Sequence, residues 1–207
     1  MSPQGIVVMG TGGHASVVID LARCAGLDVL GCFGPQPPDF STSYCRYLGN
    51  DSVLDTLDRH NIAVAIGAGS IALPALRRRL FEAVLERGFI MPALTHPRAV
   101  VAGSANIASA VQILAGAVIQ PFATLGHNVL INTAAVIEHH ARIEDHVHVS
   151  SGAVVCGTVT VGAASHIGAN ATVRQSLAIG AGTIIGAGAV VVANVAANQV
   201  LKGNPAR

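Results

Sequence analysis

Nine histidines occur in 207 residues, and four of them, His139, His140, His146 and His148, fall within ten. Imidazole is the side chain whose ordinary pKa lies nearest neutrality, so this concentration points to proton transfer or to metal ligation. Carboxylates accompany them, Glu138 just before His139 and Glu144 and Asp145 between His140 and His146. A second pattern of chemical interest lies near the start of the chain, where the apolar run Gly5 to Met9 is followed at once by Gly10-Thr11-Gly12-Gly13-His14. Glycines after a strand let the backbone approach a ligand closely, and free N–H groups at the start of a following helix favour an anion such as a phosphate. The cysteines Cys24, Cys32, Cys45 and Cys156 show no paired spacing, so buried thiols are expected rather than a disulfide framework or a zinc knuckle.

The elements that must hold the histidines are set by a repeat of six. Every sixth residue from Val101 through Ile107, Ile113, Ile119, Leu125, Ile131 and onward to Val191 is Val, Ile or Leu, sixteen positions without a slip. Four places later in each hexad the residue is small or aliphatic, as at Ala117, Ala135, Ala153 and Ala171. Neither a helix, with period 3.6, nor a lone strand, with period 2, has this period. It fits a parallel β-helix, in which each hexad is a short strand with a turn and three hexads close a coil. Residues eighteen apart then stack at the inter-strand spacing, roughly 4.8 Å, and the hexads make about five coils. On that rule Gly157 stacks directly on His139, where its missing side chain allows close approach and its N–H could hold a developing oxyanion. His148 and His166 also stack, but two ligands make a poor metal site, so no metal is expected.

Ahead of the repeat, strand and helix alternate. A strand over Gly5–Met9, a helix over Ala15–Ala25 and a parallel strand over Leu27–Phe33 are expected. After a Pro-rich loop come a short helix starting near Asp51, with Asp51 as its N-cap, and a buried strand at Ala63–Ile66. The Gly67-Ala68-Gly69 turn leads to a helix from about Ser70 to Arg87, with Pro74 tolerable in its first turns, and Ile90–Leu94 forms a last strand. Gly10, Gly12 and Ala15 satisfy the G-x-G-x-x-A form. The acid that a dinucleotide site wants at the end of the second strand is missing from Gly31-Cys32-Phe33-Gly34, which argues against NAD.

The opening VVMGTGGHA, the hinge LTHPRA, the segment LINTAAVIEHHARIEDHVHVSSGAVVCG and the ending GNPAR, in that order, resemble one branch of the hexapeptide-repeat acyltransferases. That branch holds the bacterial nucleotide-aminosugar N-acetyltransferases and the sialic acid O-acetyltransferase-like proteins. The resemblance implies an α/β Rossmann-like parallel sheet over residues 1–94, followed by a left-handed parallel β-helix over 95–207, in a homotrimer. It implies acetyl-CoA as co-substrate and transfer of its acetyl group to a nucleotide-linked 4-amino-4,6-dideoxysugar, on UDP, GDP or dTDP, for surface glycan synthesis. His139 corresponds to the general base, with Glu138 placed to orient or polarise it, and Gly157 to a backbone oxyanion donor. His148 corresponds to a second functional histidine that contacts acetyl-CoA or the amine; nine residues, half a coil, separate it from His139, and from that spacing the two are expected to cooperate across a subunit boundary. The pantetheine is expected against backbone at Gly157 and along Ile167, Gly168, Ile185 and Gly186. Gly10, Gly12, Gly13, His14, Gly67 and Gly69 are expected to bind the nucleotide sugar. The family's usual acid after the base is His140 here, so a compensating role for Glu138 or Glu144 is open. Rival readings are a sugar O-acetyltransferase and a non-catalytic sugar-nucleotide-binding scaffold.

Net charge is +1 and only 11% of residues are charged, which offers no surface for nucleic acid. The uncharged stretch after Arg174 could mimic a membrane span, but the hexad phase runs through it unbroken, so no membrane insertion is expected. The first residues lack the basic start and long apolar core of a signal peptide, which suggests a cytoplasmic protein.

Overall fold

A computed structural model describes residues 4–41, 43–70 and 75–207. The chain divides into two units, one built from residues 4–69 and 75–96, the other from Ser70 and Pro97–Arg207.

The first unit is a parallel three-stranded sheet with two helices. Strand β1 (Gly5–Met9) lies at its centre, between β2 (Val29–Phe33) and β3 (Ile62–Ile66). Every residue of β1 is buried, as expected of a strand covered on both faces. Helix α1 (Gly13–Cys24) starts two residues earlier than its apolar pattern suggests, with Gly12 as an uncapped N-terminus. Helix α2 spans Ala75–Glu86; Pro74, expected in its first turns, lies outside the described residues. Two local expectations need correction. The helix after Gly49 is a 3₁₀ helix, Asp51–Asp55, and its cap is Asn50, whose side-chain oxygen accepts from Ser52 N–H at 3.0 Å; Asp51 is already inside the helix. Ile90–Leu94 is not a strand of the sheet: the Ile90 carbonyl accepts one bond from Val64 N–H, and the only pairing element is the two-residue β4, Leu94–Thr95.

The second unit is a parallel β-solenoid. Sixteen two-residue strands run from Val100–Val101 to Val190–Val191 at a constant step of six residues, and each of the first thirteen pairs with the strand eighteen residues on. The inward aliphatics Ile113, Ile137, Val155, Ile167 and Val173 are all 0% exposed, and small partners such as Ala135, Ala153 and Ala171 fill the space between them. Val101 and Ile107 are only partly buried because no coil covers that end. About five coils undercounts the solenoid: Val200–Leu201 and a bridge at Val195 extend it into a further coil. There the stacking distance shortens from eighteen residues to sixteen, Ile184 on Val200 and Ile179 on Val195. One residue of almost every hexad turn has positive φ, including non-glycines such as Phe122, Asn128, His140, His146 and Thr158. A single non-glycine residue there costs on the order of 1 kcal/mol. The continuous ladder offsets it, with corner N–H groups bonded to the coil below, as from His140 N–H to the Pro121 carbonyl. Among the described residues no helix is long and apolar enough to cross a membrane.

Candidate active site

The four clustered histidines separate into three environments, because a hexad carries each pair round to a different corner. His139 and His140 occupy one turn. The carbonyl of His139 accepts from Thr158 N–H at 3.0 Å, so its backbone is locked between coils while its side chain stays exposed. His140 sits at the left-handed corner, φ 60°, with its ring 5.0 Å from the ring of Phe122 one coil below. The two imidazoles meet edge-on, Nδ1 to Nδ1 at 3.3 Å.

Gly157 stacks on His139 as the eighteen-residue rule requires. A Cβ at 157 would lie 2.7 Å from His139 Cε1 and 2.8 Å from Nε2, so only glycine leaves room for the imidazole in this position. The carbonyl of Gly157 accepts from Ser176 N–H at 3.0 Å, whereas its N–H has no acceptor among the described residues. An exposed imidazole thus lies against a backbone with an available donor, the two groups that acyl transfer to an amine needs.

The neighbouring carboxylates have interactions of their own. Glu138, expected to orient His139, is one rung from Cys156, and its charge adds to burial in pushing that thiol's pKa up. Cys156 is thereby kept protonated and a weak nucleophile, although it neighbours Gly157. Glu144 accepts from Ala163 N–H at 2.9 Å and Asp145 from His127 N–H at 2.7 Å, so both brace corners of the solenoid. The group in hydrogen-bond reach of His139 Nδ1 is His140. His146 lies elsewhere, its Nδ1 3.0 Å from Asn128 Nδ2.

His148 lies 8% exposed on another face. Its Nδ1 donates to the Ser70 carbonyl at 2.7 Å, with Ser70 Oγ also at 3.0 Å, which leaves Nε2 to accept from Asn132 Nδ2 at 3.4 Å. These bonds fix the tautomer. The ring of His166 packs edge-on against it at 4.8 Å; burial pushes the His166 pKa down, and its Nε2 is 3.2 Å from Ser150 Oγ. Ser70, His148 and His166, together with Gly168, Ile185 and Gly186, line an open groove of ≈ 370 Å³. Its floor is small and apolar, suited to a slender chain such as pantetheine. Of the residues expected to contact that chain, His148, Gly168, Ile185 and Gly186 meet in the groove. The side chains of Ile167 and Ile185 are fully buried, so Ile185 offers backbone alone and Ile167 is not in the lining; Gly157 is on the His139 face. Asn132 and Ser70 were invisible to sequence reasoning, since their relation to His148 is neither a motif nor a stacking interval.

In the first unit the glycine loops converge at the carboxyl ends of the strands. Gly10 has φ 140°, and a Cβ there would lie 2.8 Å from the Gly67 carbonyl carbon; a Cβ at Gly67 would strike Val8 and Ala15. Gly67 N–H donates to the Met9 carbonyl at 2.7 Å, and Gly10 N–H to the Phe33 carbonyl at 2.8 Å. Gly12 and Gly13 open onto empty space at the helix start, and Gly69 packs on His14. The loop after β3 is held from beneath by Arg77, 1% exposed, whose guanidinium donates to the carbonyls of Ile66 at 3.2 Å and Ala68 at 3.0 Å. Burial pushes its pKa down to about 9.

Residues 5–84 match the family described as the PglD N-terminal domain. Solved structures resemble the whole chain. A variant of perosamine N-acetyltransferase from Caulobacter crescentus, in complex with CoA and GDP-perosamine, is 31% identical over 98% of this chain and 95% of that one, with TM-score 0.91. The acetyltransferase domain of PglB from Neisseria gonorrhoeae, in complex with acetyl coenzyme A, is 30% identical over 100% and 99%, with TM-score 0.93. WeeI from Acinetobacter baumannii shares the fold at 24% identity over 98% of both chains, with TM-score 0.79. No curated protein sequence matches significantly.

Proposed function

The chain belongs to the hexapeptide-repeat sugar N-acetyltransferases, and we propose that it transfers the acetyl group of acetyl-CoA to the 4-amino group of a nucleotide-linked 4-amino-4,6-dideoxysugar. The observation that carries this reading is the seating of the exposed His139 imidazole against Gly157, where only a glycine leaves room for it.

Nδ1 of His139 faces His140, so Nε2 is the nitrogen left for the acceptor. To act as a base through Nε2 the ring must carry its proton on Nδ1 and donate it to Nδ1 of His140, which is then the acceptor. The sugar amine attacks the thioester carbonyl, and His139 takes the proton that the nitrogen sheds. Gly157 N–H holds the oxyanion of the tetrahedral intermediate. Collapse breaks the C–S bond, and the imidazolium returns the proton to the leaving thiolate. Amide and CoA thiol are the products, and no covalent enzyme intermediate is needed, in keeping with the raised pKa of Cys156.

The groove at His148, Gly168, Ile185 and Gly186 takes the pantetheine, and the Gly10–His14 and Gly67–Gly69 loops take the nucleotide diphosphate. His139 and His148 lie on different faces of one chain. A homotrimer of left-handed β-helices that sets one subunit's His139 beside another's His148 completes the site; exposed Val100, Phe122 and Val200 support such an assembly. The reaction serves surface glycan synthesis in the cytoplasm, where acetyl-CoA and sugar nucleotides are available.

The test is thiol release from acetyl-CoA with UDP-, GDP- and dTDP-linked 4-amino-4,6-dideoxysugars and sialic acid in parallel. Turnover with one amino sugar is expected. Turnover with sialic acid alone would replace the amine acceptor by a hydroxyl, and failure to bind acetyl-CoA would overturn the assignment.

A further inference from the structure

Helix α1 carries on its outer side a group that acetyl transfer does not use. Asp20 and Cys24 stand four residues apart, hence on one helix face, and His96 reaches the same place from the end of β4. One donor atom of each, a carboxylate oxygen, the thiol sulfur and an imidazole nitrogen, lies within 4.8 Å of the other two. Cys24 Sγ is already 3.9 Å from Asp20 Oδ2.

We propose that Asp20, Cys24 and His96 form a binding site for a divalent cation of the zinc class. The donor set selects the ion: a thiolate and an imidazole reject magnesium and calcium, which want oxygen alone, and suit zinc or cobalt. Tetrahedral zinc with bonds of about 2.0–2.3 Å sets its ligand atoms roughly 3.3–3.8 Å apart. Closing from 4.8 Å therefore asks for about 1 Å of movement. Asp20 and Cys24 are exposed and His96 is half-buried, so side-chain rotation supplies it without moving the backbone.

The backbone is well placed to hold the three together. The residue before a proline is confined to extended conformations, and His96 precedes Pro97. Leu94, two residues earlier, is 2% exposed and anchors β4 against α1. Three protein ligands leave a fourth position for water. A bound ion clips the last turns of α1 to the chain end of the same unit, so its effect is to stabilise that unit and to protect an exposed thiol. The competing account is a surface hydrogen-bonded trio without affinity for metal.

Cobalt(II) distinguishes the two, because a cobalt–thiolate bond gives a charge-transfer band in the near ultraviolet. Full-length protein freed of metal by a chelator is titrated with cobalt and then with zinc. The expected result is a thiolate band saturating at one equivalent and bleached by zinc, absent in Cys24→Ser and unchanged in Cys156→Ser. Affinity should fall at least tenfold in His96→Gln and severalfold in Asp20→Asn. Zinc should also slow alkylation of Cys24 and raise the melting temperature of the wild type but not of Cys24→Ser. No thiolate band, the same band in Cys24→Ser, or undiminished zinc affinity in both Cys24→Ser and His96→Gln would overturn the proposal, the last placing the ion among the solenoid histidines.

Discussion

Gly157→Ala separates chemistry from stability more sharply than removal of the base does. Gly157 does not have a left-handed φ, so alanine meets no backbone strain there. The added methyl would sit 2.7 Å from His139 Cε1 and 2.8 Å from Nε2, about 1 Å inside ordinary van der Waals contact. What it strikes is the free end of an exposed side chain, so the imidazole swings away and the solenoid is left intact. Displacing a catalytic group by about 1 Å costs on the order of 100-fold in rate, or roughly 2.7 kcal/mol of barrier. Gly168→Ala is the control. Its methyl would strike Ala187 N and the Ile185 carbonyl oxygen at 2.6 Å, both backbone atoms of the next coil, and these cannot yield. Thiol-release kinetics and thermal melts of both variants should therefore diverge: Gly157→Ala loses about 100-fold in kcat with a melting temperature within ~2 °C of wild type, and Gly168→Ala melts several degrees lower. Activity of Gly157→Ala within threefold of wild type would refute the contact's role. A melting temperature depressed as far as that of Gly168→Ala would refute the reasoning about which atoms yield.

Mixing His139→Ala with His148→Ala chains after unfolding and refolding together should restore activity that neither parent shows, measured as thiol release; no recovery beyond the parents would place both histidines in one chain's site. Arg77→Met removes two charge-assisted bonds to the carbonyls of Ile66 and Ala68, each worth about 1.5–3 kcal/mol. It should lower the melting temperature and raise KM for the sugar nucleotide while leaving KM for acetyl-CoA near wild type. His166 has a folded pKa depressed below its ordinary 6.5 by burial. The unfolded chain then binds the proton first, so stability is full above pH 6.5 and falls as pH drops from there toward the folded pKa. His166→Gln should show a smaller loss of melting temperature than wild type between about pH 7.5 and 5.5.

The solenoid was legible because its physics is one-dimensional. A step of six fixes which residues face inward, and three steps fix which stack, so the seating of Gly157 on His139 follows from arithmetic. The same arithmetic fails at Val195, where the last coil closes in sixteen residues and no hexad marks the change. It is silent on contacts that leave the ladder. Ser70 reaches His148 across 78 positions, and His96 joins Asp20 and Cys24 from a separate segment. In the sheet unit the glycine loops stood out because Gly10 and Gly67 approach too closely for any Cβ. Arg77 did not, since its pattern position in α2 is that of a surface arginine and only the folded loop supplies its acceptors. Glu138 and Glu144 show what spacing alone does not carry: that the carboxylate of Glu144 accepts from Ala163 N–H, and that the charge of Glu138 acts on Cys156, emerges only from the stacked coils.

The most direct measurement is acetyl transfer by His139→Gln beside wild type, with acetyl-CoA binding measured separately on both. The residue is exposed and outside the pantetheine groove, so binding should stay within about threefold while kcat falls by roughly 10²–10⁴. Undiminished turnover, or loss of turnover that only tracks lost acetyl-CoA binding, would contradict the assignment of His139 as the base.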